Sequence, residues 1–416
     1  MDEWQEADMR LRVDRDALGE AVAFVSRVLP SRPVVPLLSG MLIEADEGGL
    51  TISCFDYEVS ARCRVAAEVI EPGTALVPGR LLAEITRSLP GRPVEFSVDA
   101  GTLNLVCGSA EFGLVCLPIE DYPALPSSPE PVGVVDGGLF AAAVAQVASS
   151  ASRDDTLPML TAVCVDIEGE TLTLAATDRY RLAARKASFT PFDPDVKAVV
   201  LVPARIMTEA ARALGSGAPV TLAFNAGNEG LISFEAADRR LTARLIGGEF
   251  IKYESRFAGE FGCYADLPAA PMIDAVRRAS LVADRAGPVR LTFSEGRLVI
   301  EAHAEGRARA AETVPADFTG DQPVISFNPH YLLDGLLAAA AVGSSGASAA
   351  GAEPGDSSSA DSAPAEPGKI RLEFNTPAKP ALITWTDDTS DPREDPAGAP
   401  ADFRYLLVPL RVPDRA

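Results

Sequence analysis

The residue types most often responsible for metal binding or nucleophilic catalysis are sparse in this sequence and are not grouped. Its 416 residues include two histidines, His303 and His330, and six cysteines without a C-x-x-C pair. Zinc sites need three or four such ligands close together, and disulfide frameworks belong to short secreted chains. We therefore expect no metal, no cofactor, and reduced cysteines at Cys54, Cys63, Cys107, Cys116, Cys164 and Cys263.

An enzyme acting on DNA or on a small substrate is a competing class, but its usual motifs are missing from the sequence. We find no phosphate-binding loop, no histidine cluster and no convincing set of carboxylates. Asp178 follows a strand-like segment, where a carboxylate more often caps a turn. The sequence therefore favours a non-catalytic protein, for which nuclease, ATPase and hydrolase assays should be blank.

Arginines recur on the segments with helical spacing and could contact phosphates. The net charge of −22 argues against a protein that holds DNA by affinity alone. A protein linked to DNA topologically needs cations only on its inner surface, and few side chains suited to base edges accompany these arginines. The alternative is ordinary solvated helix faces. The recurring set is Arg27, Arg32, Arg80, Arg87, Arg205, Arg212, Arg277, Arg278 and Arg285, with Arg32, Arg80 and Arg205 as the DNA-facing candidates.

These helical segments belong to an order of elements that occurs three times: helix, strand, strand, helix, strand, strand. Its copies begin with predicted helices over 14–29, 139–151 and 271–286. Leu-Val-Pro-Gly-Arg at 76–80 returns as Leu-Val-Pro-Ala-Arg at 201–205, each time between a strand and a helix. The pattern predicts an α+β fold of three repeated domains, each a sheet with two helices.

The repeats set the predicted domain boundaries at 9–132, 133–262 and 263–416, with residues 1–8 as an N-terminal extension. The segment 343–368 is rich in Ser, Ala, Gly and Pro, and interrupts the third domain after its second helix. Such a composition cannot build a packed core, so we expect a disordered surface insertion there. A shorter acidic loop is expected over 386–402, followed by a last strand over 405–412.

Several motifs, in order along the chain, resemble the bacterial DNA polymerase III β sliding clamps, and most closely those of actinobacteria. They are RPVVPLLSGMLIEA (32–45), CFDYEVSA (54–61), IEDYPALP (119–126), RDDTLPML (153–160), LAATDRYRLA (174–183) and YLLVPLRV (405–412). The resemblance runs from Met9 to Val412 apart from the two insertions. It implies half of a six-domain ring, a homodimer that encircles double-stranded DNA without sequence preference and confers processivity on the replicative polymerase.

The resemblance also implies which residues meet the partner subunit. Phe112 and Leu114 of the first domain would contact Leu281 and Val282 of the third domain on the other subunit. The alternative for these four residues is packing inside their own subunit. A continuous sheet across the subunit boundary would protect strand edges from misassociation.

A hydrophobic groove between domains 2 and 3 is the family's docking site for short peptides of the polymerase III α subunit, the clamp loader, other polymerases and repair proteins. Apolar anchors need such a pocket, and flanking polar groups orient them. Without the resemblance, several of these residues would be interpreted as core. Carried over by motif, the groove comprises Leu160, Thr177, Arg179, Tyr180, Arg181, Leu182, Ile251, Leu406, Leu407, Val408, Pro409, Leu410 and Arg411.

The sequence departs from many relatives at the rim of this groove. Arg179-Tyr180 stands where they carry Gly-His, and Ile251 stands where Pro is common; the segment as far as Ser255 also differs. These departures leave open an alternative function, a duplicated clamp that tolerates a clamp-directed antibiotic. The acidic N-terminus lacks a signal peptide and no apolar run suits a membrane span, so we expect a cytoplasmic protein with no membrane contact.

Overall fold

The structure is a computed structural model that describes residues 9–30, 32–215, 217–225, 230–259, 261–283, 287–304, 306–321, 324–349, 368–386 and 402–411. The chain divides into two compact units. The first comprises Met1–Gly138, Phe189–Val196 and Glu209–Leu245, and the second comprises Leu139–Ser188, Lys197–Thr208 and Ile246–Ala416. Each unit is described by itself below.

The first unit contains a five-stranded and a nine-stranded antiparallel sheet. In the five-stranded sheet the order is β5-β1-β7-β8-β9, with β1 Arg10–Val13, β5 Ala67–Glu71, β7 Val94–Asp99, β8 Thr102–Cys107 and β9 Ala110–Val115. In the nine-stranded sheet the order is β14-β10-β16-β17-β18-β4-β3-β2-β6. These strands are β2 Gly40–Asp46, β3 Gly49–Phe55, β4 Val59–Val65, β6 Gly73–Pro78, β10 Pro131–Val135, β14 Thr190–Pro191, β16 Val220–Phe224, β17 Leu231–Ala236 and β18 Arg239–Arg244.

Two helices pack together in the first unit, α1 Arg15–Ser26 and α2 Gly79–Ser88. The Asp14 carboxylate caps α1 by accepting the backbone N–H groups of Asp16 and Ala17, which satisfies donors that the first turn leaves free. Pro78 precedes α2 directly, and the helix buries Leu82, Ala83 and Ile85. A 3₁₀ turn over Pro36–Ser39 leads into β2.

The second unit also contains a nine-stranded sheet, and beside it a four-stranded one. The nine-stranded order is β15-β11-β12-β13-β27-β26-β25-β19-β23 and the four-stranded order is β22-β21-β20-β24. The strands of the larger sheet are β11 Ala162–Glu168, β12 Thr171–Thr177, β13 Arg181–Ser188, β15 Lys197–Pro203, β19 Cys263–Pro268, β23 Asp317–Thr319, β25 Lys369–Phe374, β26 Ala381–Thr386 and β27 Phe403–Leu407. Those of the smaller sheet are β20 Val289–Ser294, β21 Arg297–Ala304, β22 Ala308–Pro315 and β24 Val324–Phe327.

The remaining helices are α3 Gly137–Ala148, α4 Ala204–Leu214, the single-turn α5 Glu254–Phe257, α6 Ala269–Ser280 and α7 Pro329–Ala349. In the second unit α6 packs against α7, and α7 lies on β25, β26 and β27. A 3₁₀ turn over Pro158–Leu160 leads into β11, as Pro36–Ser39 leads into β2. None of the helices in the described ranges is long and apolar enough to span a membrane.

The element order confirms the predicted α+β fold of three repeats. Among the described residues each repeat holds nine strands and two long helices, β1–β9 with α1 and α2, β10–β18 with α3 and α4, and β19–β27 with α6 and α7. The prediction missed three strands in each repeat: the leading strand (β1, β10 and β19) and the two strands after the first hairpin (β4 and β5, β13 and β14, β22 and β23). Arg10–Val13 is too short to show a clear alternation, and Arg181–Ser188 shows none because its first five residues are all buried.

The sheets join consecutive repeats in the same way twice. In the first unit β4, the fourth strand of the first repeat, pairs with β18, the ninth strand of the second; we call this the first joint. In the second unit β13 pairs with β27 in the same relation, and we call this the second joint. Within the described residues, β9 and β22 are edge strands with a neighbour on one side only.

Three predicted boundaries are corrected. The helix predicted over 271–286 ends at Ser280, because the next backbone N–H, that of Leu281, turns back to the carbonyl of Arg278. The helix before the Ser/Ala-rich insertion continues to Ala349, so the insertion does not begin at 343 as a loop; residues 350–367 lie outside the described part. The last strand ends at Leu407 and not at 412.

Candidate functional site

The second joint builds an apolar row across four neighbouring strands. The registers place Thr177 opposite Leu182, Leu182 opposite Leu406, and Leu406 opposite Leu382. Because side chains alternate along a strand, residues that are directly opposite share one face of the sheet. All four are buried, with small remaining exposures of 4–7%. We call these four residues the floor.

Other apolar residues cover the same face of the sheet. The leucines of the floor belong to a buried cluster with Cys164, Leu201, Tyr253 and Phe257, against which Ile246, Phe250 and Phe261 pack. The segment that follows the second repeat therefore lies on the sheet. It is held there by a hydrogen bond of 2.7 Å from the Tyr253 hydroxyl to Asp166, and by the Arg404 guanidinium 4.5 Å from the centre of the Phe257 ring.

Half-exposed apolar side chains lie on segments that adjoin the floor in the chain or are hydrogen-bonded to such segments. They are Leu157, Met159, Tyr180, Ile251, Val408 and Leu410, between 36% and 54% exposed. We call them the rim, and the floor and rim together the candidate groove. Leu160, at the end of the 3₁₀ turn, is buried, at 9% exposure. Scattered exposed apolar residues are ordinary, but several of them on segments that adjoin a buried apolar row suit an apolar ligand.

The chain after β27 follows an irregular path along the rim. The Val408 N–H donates to the Tyr180 carbonyl at 2.9 Å, and the Leu410 N–H donates to the Ser326 carbonyl at 2.7 Å. Pro409 between them is buried and Arg411 is exposed. The alternation puts Leu406 on the groove face and Leu407 on the opposite one, where it is fully buried. Leu407 therefore belongs to the core, and its predicted place in the groove wall is corrected.

The turn between β12 and β13 forms one end of the groove. The Asp178 carboxylate accepts the N–H groups of Tyr180 and Arg181, each at 3.0 Å. The Thr177 hydroxyl accepts the N–H of Arg179 and donates to the Arg181 carbonyl. This confirms the prediction that Asp178 caps a turn. The turn also holds Arg179 at a φ of 81°, a left-handed conformation that is uncommon outside glycine.

Arg181 is buried and joins the turn to its surroundings. Its guanidinium pairs with Asp178 at 3.0 Å and with Asp334 of α7, and donates to the Ser149 carbonyl after α3. It also lies 4.3 Å from the centre of the Tyr331 ring, on which Tyr180 stacks. Burial alone would lower the pKa of Arg181, but its partners outweigh burial and raise that pKa. Arg181 therefore stays charged and shapes the groove from below.

The three DNA-facing candidates are all exposed. Arg80 donates to the Pro30 carbonyl at 3.1 Å, which places it near the loop that carries Arg32. Arg205 lies in the first turn of α4. In the described residues these three make no ion pair, whereas other helix arginines do: Arg27 and Arg212 share Glu209, Arg277 pairs with Asp274, and Arg278 with Glu312. The wider basic track predicted from the sequence is therefore partly neutralised, and Arg285 lies outside the described residues.

The predicted subunit-interface residues differ in accessibility. Leu281 is 83% exposed, and Phe112 and Val282 are partly buried. Leu114 is only 1% exposed because it faces the core of its own unit, so its predicted contact with a partner is corrected. Val115, on the opposite face of the same strand, is 73% exposed. Among the described residues no group of histidines, cysteines and carboxylates could hold a metal ion.

Models of three consecutive domains match the chain. They are the N-terminal, central and C-terminal domains of the DNA polymerase III beta subunit, at residues 9–126, 134–252 and 263–341. The chain belongs to the DNA polymerase III β subunit family, the β sliding clamps. The motif resemblance is thereby confirmed, and as a member of this family the chain is a non-catalytic subunit.

Individual relatives support the same family. The chain is 53% identical to the beta sliding clamp of Streptomyces coelicolor over 79% of this chain and 88% of the relative. It is 45% identical to that of Micrococcus luteus over 74% of this chain and 99% of the relative. Both organisms are actinobacteria, which confirms the predicted type. The chain is also 43% identical to the beta sliding clamp homolog GriR of Streptomyces muensis, over 79% of this chain and 88% of the relative.

Solved structures share the clamp fold at low identity. The Bacillus subtilis sliding clamp aligns with a TM-score of 0.81 at 24% identity, over 97% of this chain and all of that one. A Pseudomonas aeruginosa sliding clamp bound to griselimycin aligns with a TM-score of 0.80 at 23% identity over the same shares.

Sequence reasoning missed several residues of this clamp's candidate groove. Leu382 completes the floor, Leu157 and Met159 extend the rim, and Tyr331 supports Tyr180. The apolar motif that contains Leu160 also contains Met159, so that omission could have been avoided. Leu382 lies 24 residues before Leu406 in the numbering, and no local pattern pairs these strands across the acidic loop.

Proposed function

We propose that two copies of this clamp close into a ring around duplex DNA and dock partner proteins through the candidate groove. The observation that carries the ring is the repeated joint. The fourth strand of one repeat pairs with the ninth strand of the next, once in each unit. The same rule leaves β22, a fourth strand, and β9, a ninth strand, without that partner among the described residues.

A second subunit can supply the missing joint. If β22 of one subunit pairs with β9 of the other, a four-stranded and a five-stranded sheet become one nine-stranded sheet, like the two already within the chain. Closed pairing also removes exposed strand edges, which otherwise promote aggregation. If the first repeat joins the second, the second joins the third, and the third joins the first repeat of the other subunit, two subunits close into a ring.

Sequence-independent contacts with DNA are proposed for Arg32, Arg80 and Arg205. Their guanidinium groups are exposed and are not neutralised by carboxylates in the described residues. The chain otherwise carries a net charge of −22, so affinity for phosphates alone would be weak. A topological link around the duplex would hold such a protein on DNA while leaving it free to slide.

Docking of partners is proposed for the groove, with Leu160, Leu182 and Leu406 beneath it and Tyr180, Ile251 and Val408 around it. A peptide with apolar anchors would remove this surface from water, which contributes about 25 cal/mol per Å². The partners would be the polymerase III α subunit, the clamp loader, and other polymerases and repair proteins, all in the cytoplasm. Arg411, exposed at the end of the described C-terminal segment, would contact the peptide backbone.

Retention on circular DNA tests the ring. The protein is loaded onto nicked circular duplex with a clamp loader, and retention is measured before and after the circle is cut. We expect a dimer in sedimentation, stable retention on the circle and rapid loss after cutting. Equal retention on both forms would exclude a topological link. An Arg32→Ala, Arg80→Ala, Arg205→Ala triple variant should load or hold less well, with a smaller dependence on salt.

A peptide with Gln, then Leu and a terminal Leu-Phe pair tests the groove. We expect one peptide to bind per subunit with micromolar affinity, about −8 kcal/mol. Calorimetry on the intact dimer measures both the number of peptides bound per subunit and their affinity. Absence of binding, or binding that is unchanged when the rim is altered, would place the docking site elsewhere.

A further inference from the structure

The turn at one end of the candidate groove holds an arginine where the backbone suits glycine. Arg179 has a φ of 81°. Side chains with a Cβ are disfavoured in this region, and residues held there cluster at functional sites. A strained arginine next to an apolar groove therefore requires an explanation beyond the turn itself.

The corresponding turns of the other two repeats show whether the left-handed backbone at this position requires an arginine. Tyr57 lies at the same place in the turn of the first repeat, with a φ of 72°, and Gly306 has a φ of 68° in the hairpin turn of the third. The three turns share the left-handed backbone but carry a tyrosine, an arginine and a glycine. The backbone therefore does not demand arginine, and glycine would fill the position with less strain.

The guanidinium of Arg179 is free to meet a ligand. The residue is exposed, and its side chain makes no hydrogen bond or ion pair with the rest of the described chain. Its neighbour Tyr180 is a rim residue whose carbonyl accepts the Val408 N–H. Asp154 lies within reach of its charge: hydrogen bonds from Thr156 chiefly, and the positive charge of Arg179 in addition, lower the pKa of the Asp154 carboxyl.

We propose that Arg179 is a specificity-determining residue of the groove, which pairs with a carboxylate of the docking peptide and so favours acidic partner segments. The inference rests on the proposed function of the groove. A planar guanidinium matches a carboxylate with two parallel hydrogen bonds. In the free clamp the charge of Asp154 partly balances that of Arg179, and an acidic peptide side chain would replace it.

A peptide scan on the full-length dimer tests the proposal. Each position of the Gln, Leu, Leu-Phe peptide outside these anchors carries Asp in one peptide and Asn in its partner. The wild-type clamp should bind at least one Asp peptide more tightly than its Asn partner, by about threefold or more at low salt. This preference should shrink as salt rises.

Variants assign the preference to the side chain. Arg179→Gly should abolish the preference, because it removes the guanidinium while glycine keeps the turn. Asp154→Asn should increase the preference. Tyr57→Gly makes the same backbone change in the first repeat, and should leave the preference unchanged.

The outcomes separate this inference from the proposed function. Binding without any preference for Asp, or a preference that survives in Arg179→Gly, overturns the role of Arg179 and leaves the groove intact. Failure of every peptide to bind the wild-type dimer overturns the groove, and the role of Arg179 with it.

Discussion

The two joints of this chain share a backbone arrangement but differ in the side chains of one buried row on the sheet. In the second joint the row across four strands is Thr177, Leu182, Leu406 and Leu382. In the first joint the corresponding row is Phe55, Ser60, Thr242 and Ser233. Leucines stand at the second joint in the three places where hydroxyl side chains stand at the first.

At the first joint, hydroxyl side chains occupy three of the four places in the row. The hydroxyls of Ser233 and Thr242 bond to each other at 2.6 Å, and both residues are buried. The Tyr122 hydroxyl accepts the Phe55 N–H at 2.9 Å, which holds the following segment against the sheet. Buried hydroxyls that satisfy one another leave no apolar area to attract a ligand.

The ends of the corresponding strands β18 and β27 also differ, with a polar residue at the first joint and an apolar one at the second. Arg244, the last residue of β18, corresponds to Val408, which follows β27, and each donates its N–H to a carbonyl of the turn, that of Glu58 and that of Tyr180 respectively. The Arg244 side chain folds onto the Tyr57 carbonyl at 2.9 Å, whereas Val408 stays 37% exposed. A repeated backbone therefore provides two candidate docking sites, and of the two described rows only that of the second joint contains leucines.

The largest expected effect concerns a third joint, between subunits. Leu281→Asp should convert the dimer to monomer, because a charge buried without a partner costs about 3–5 kcal/mol, roughly a thousandfold in affinity. Leu281 is 83% exposed in the single chain, so the subunit itself should stay folded. Sedimentation measures the mass. Phe192→Asp, at another exposed apolar residue (59% exposed), serves as the control; a dimer that survives Leu281→Asp would show that the joint lies elsewhere.

The floor of the groove gives the next largest effect. Leu406→Ala should lower the free energy of unfolding by about 2–4 kcal/mol, because it leaves a cavity in a buried row, and should also weaken peptide binding. Thr242→Ala, its counterpart at the first joint, should cost about 1–2 kcal/mol through the lost partner of Ser233 without changing peptide affinity. Urea unfolding and calorimetry measure the two quantities. If both variants weakened peptide binding equally, the two joints would not differ in their contribution to docking.

A substitution in the rim tests peptide binding with little effect on the stability of the fold. Val408→Ala should weaken peptide binding by about 1–2 kcal/mol with little loss of stability, because more than a third of Val408 is already exposed. Arg244→Ala at the first joint should leave peptide affinity as it is. Processive synthesis by the cognate polymerase is a second readout. Unchanged affinity in Val408→Ala would remove the C-terminal segment from the site.

The smallest effect concerns the two turns. Tyr57→Gly and Arg179→Gly should each change the free energy of unfolding by less than about 1 kcal/mol, because relief of left-handed strain offsets the entropy of glycine. Thermal unfolding monitors both variants. A large loss of stability in Arg179→Gly alone would mean that its side chain supports the turn.

The repeat and most of its elements follow from local patterns in the sequence. Alternation and helical spacing are local, so the strands that contain Ile52 and Leu174, and the strand-to-helix junctions at Pro78 and Pro203, could be found without the fold. The motifs around Leu160 and Tyr180 were sufficient to name the family. Some strands were missed, because Arg10–Val13 is short and Arg181–Ser188 does not alternate.

Which face of each element is buried, and which partners it has, depends on how distant segments of the chain pack together. Leu406 lines the groove and Leu407 the core, and Phe112 and Leu114 turn inward while Val115 turns outward. Leu382 lies opposite Leu406, and Glu209 pairs with both Arg27 and Arg212. A strand pattern repeats every two residues whichever face is buried, so one face becomes the inner one only when a distant strand or helix packs on it.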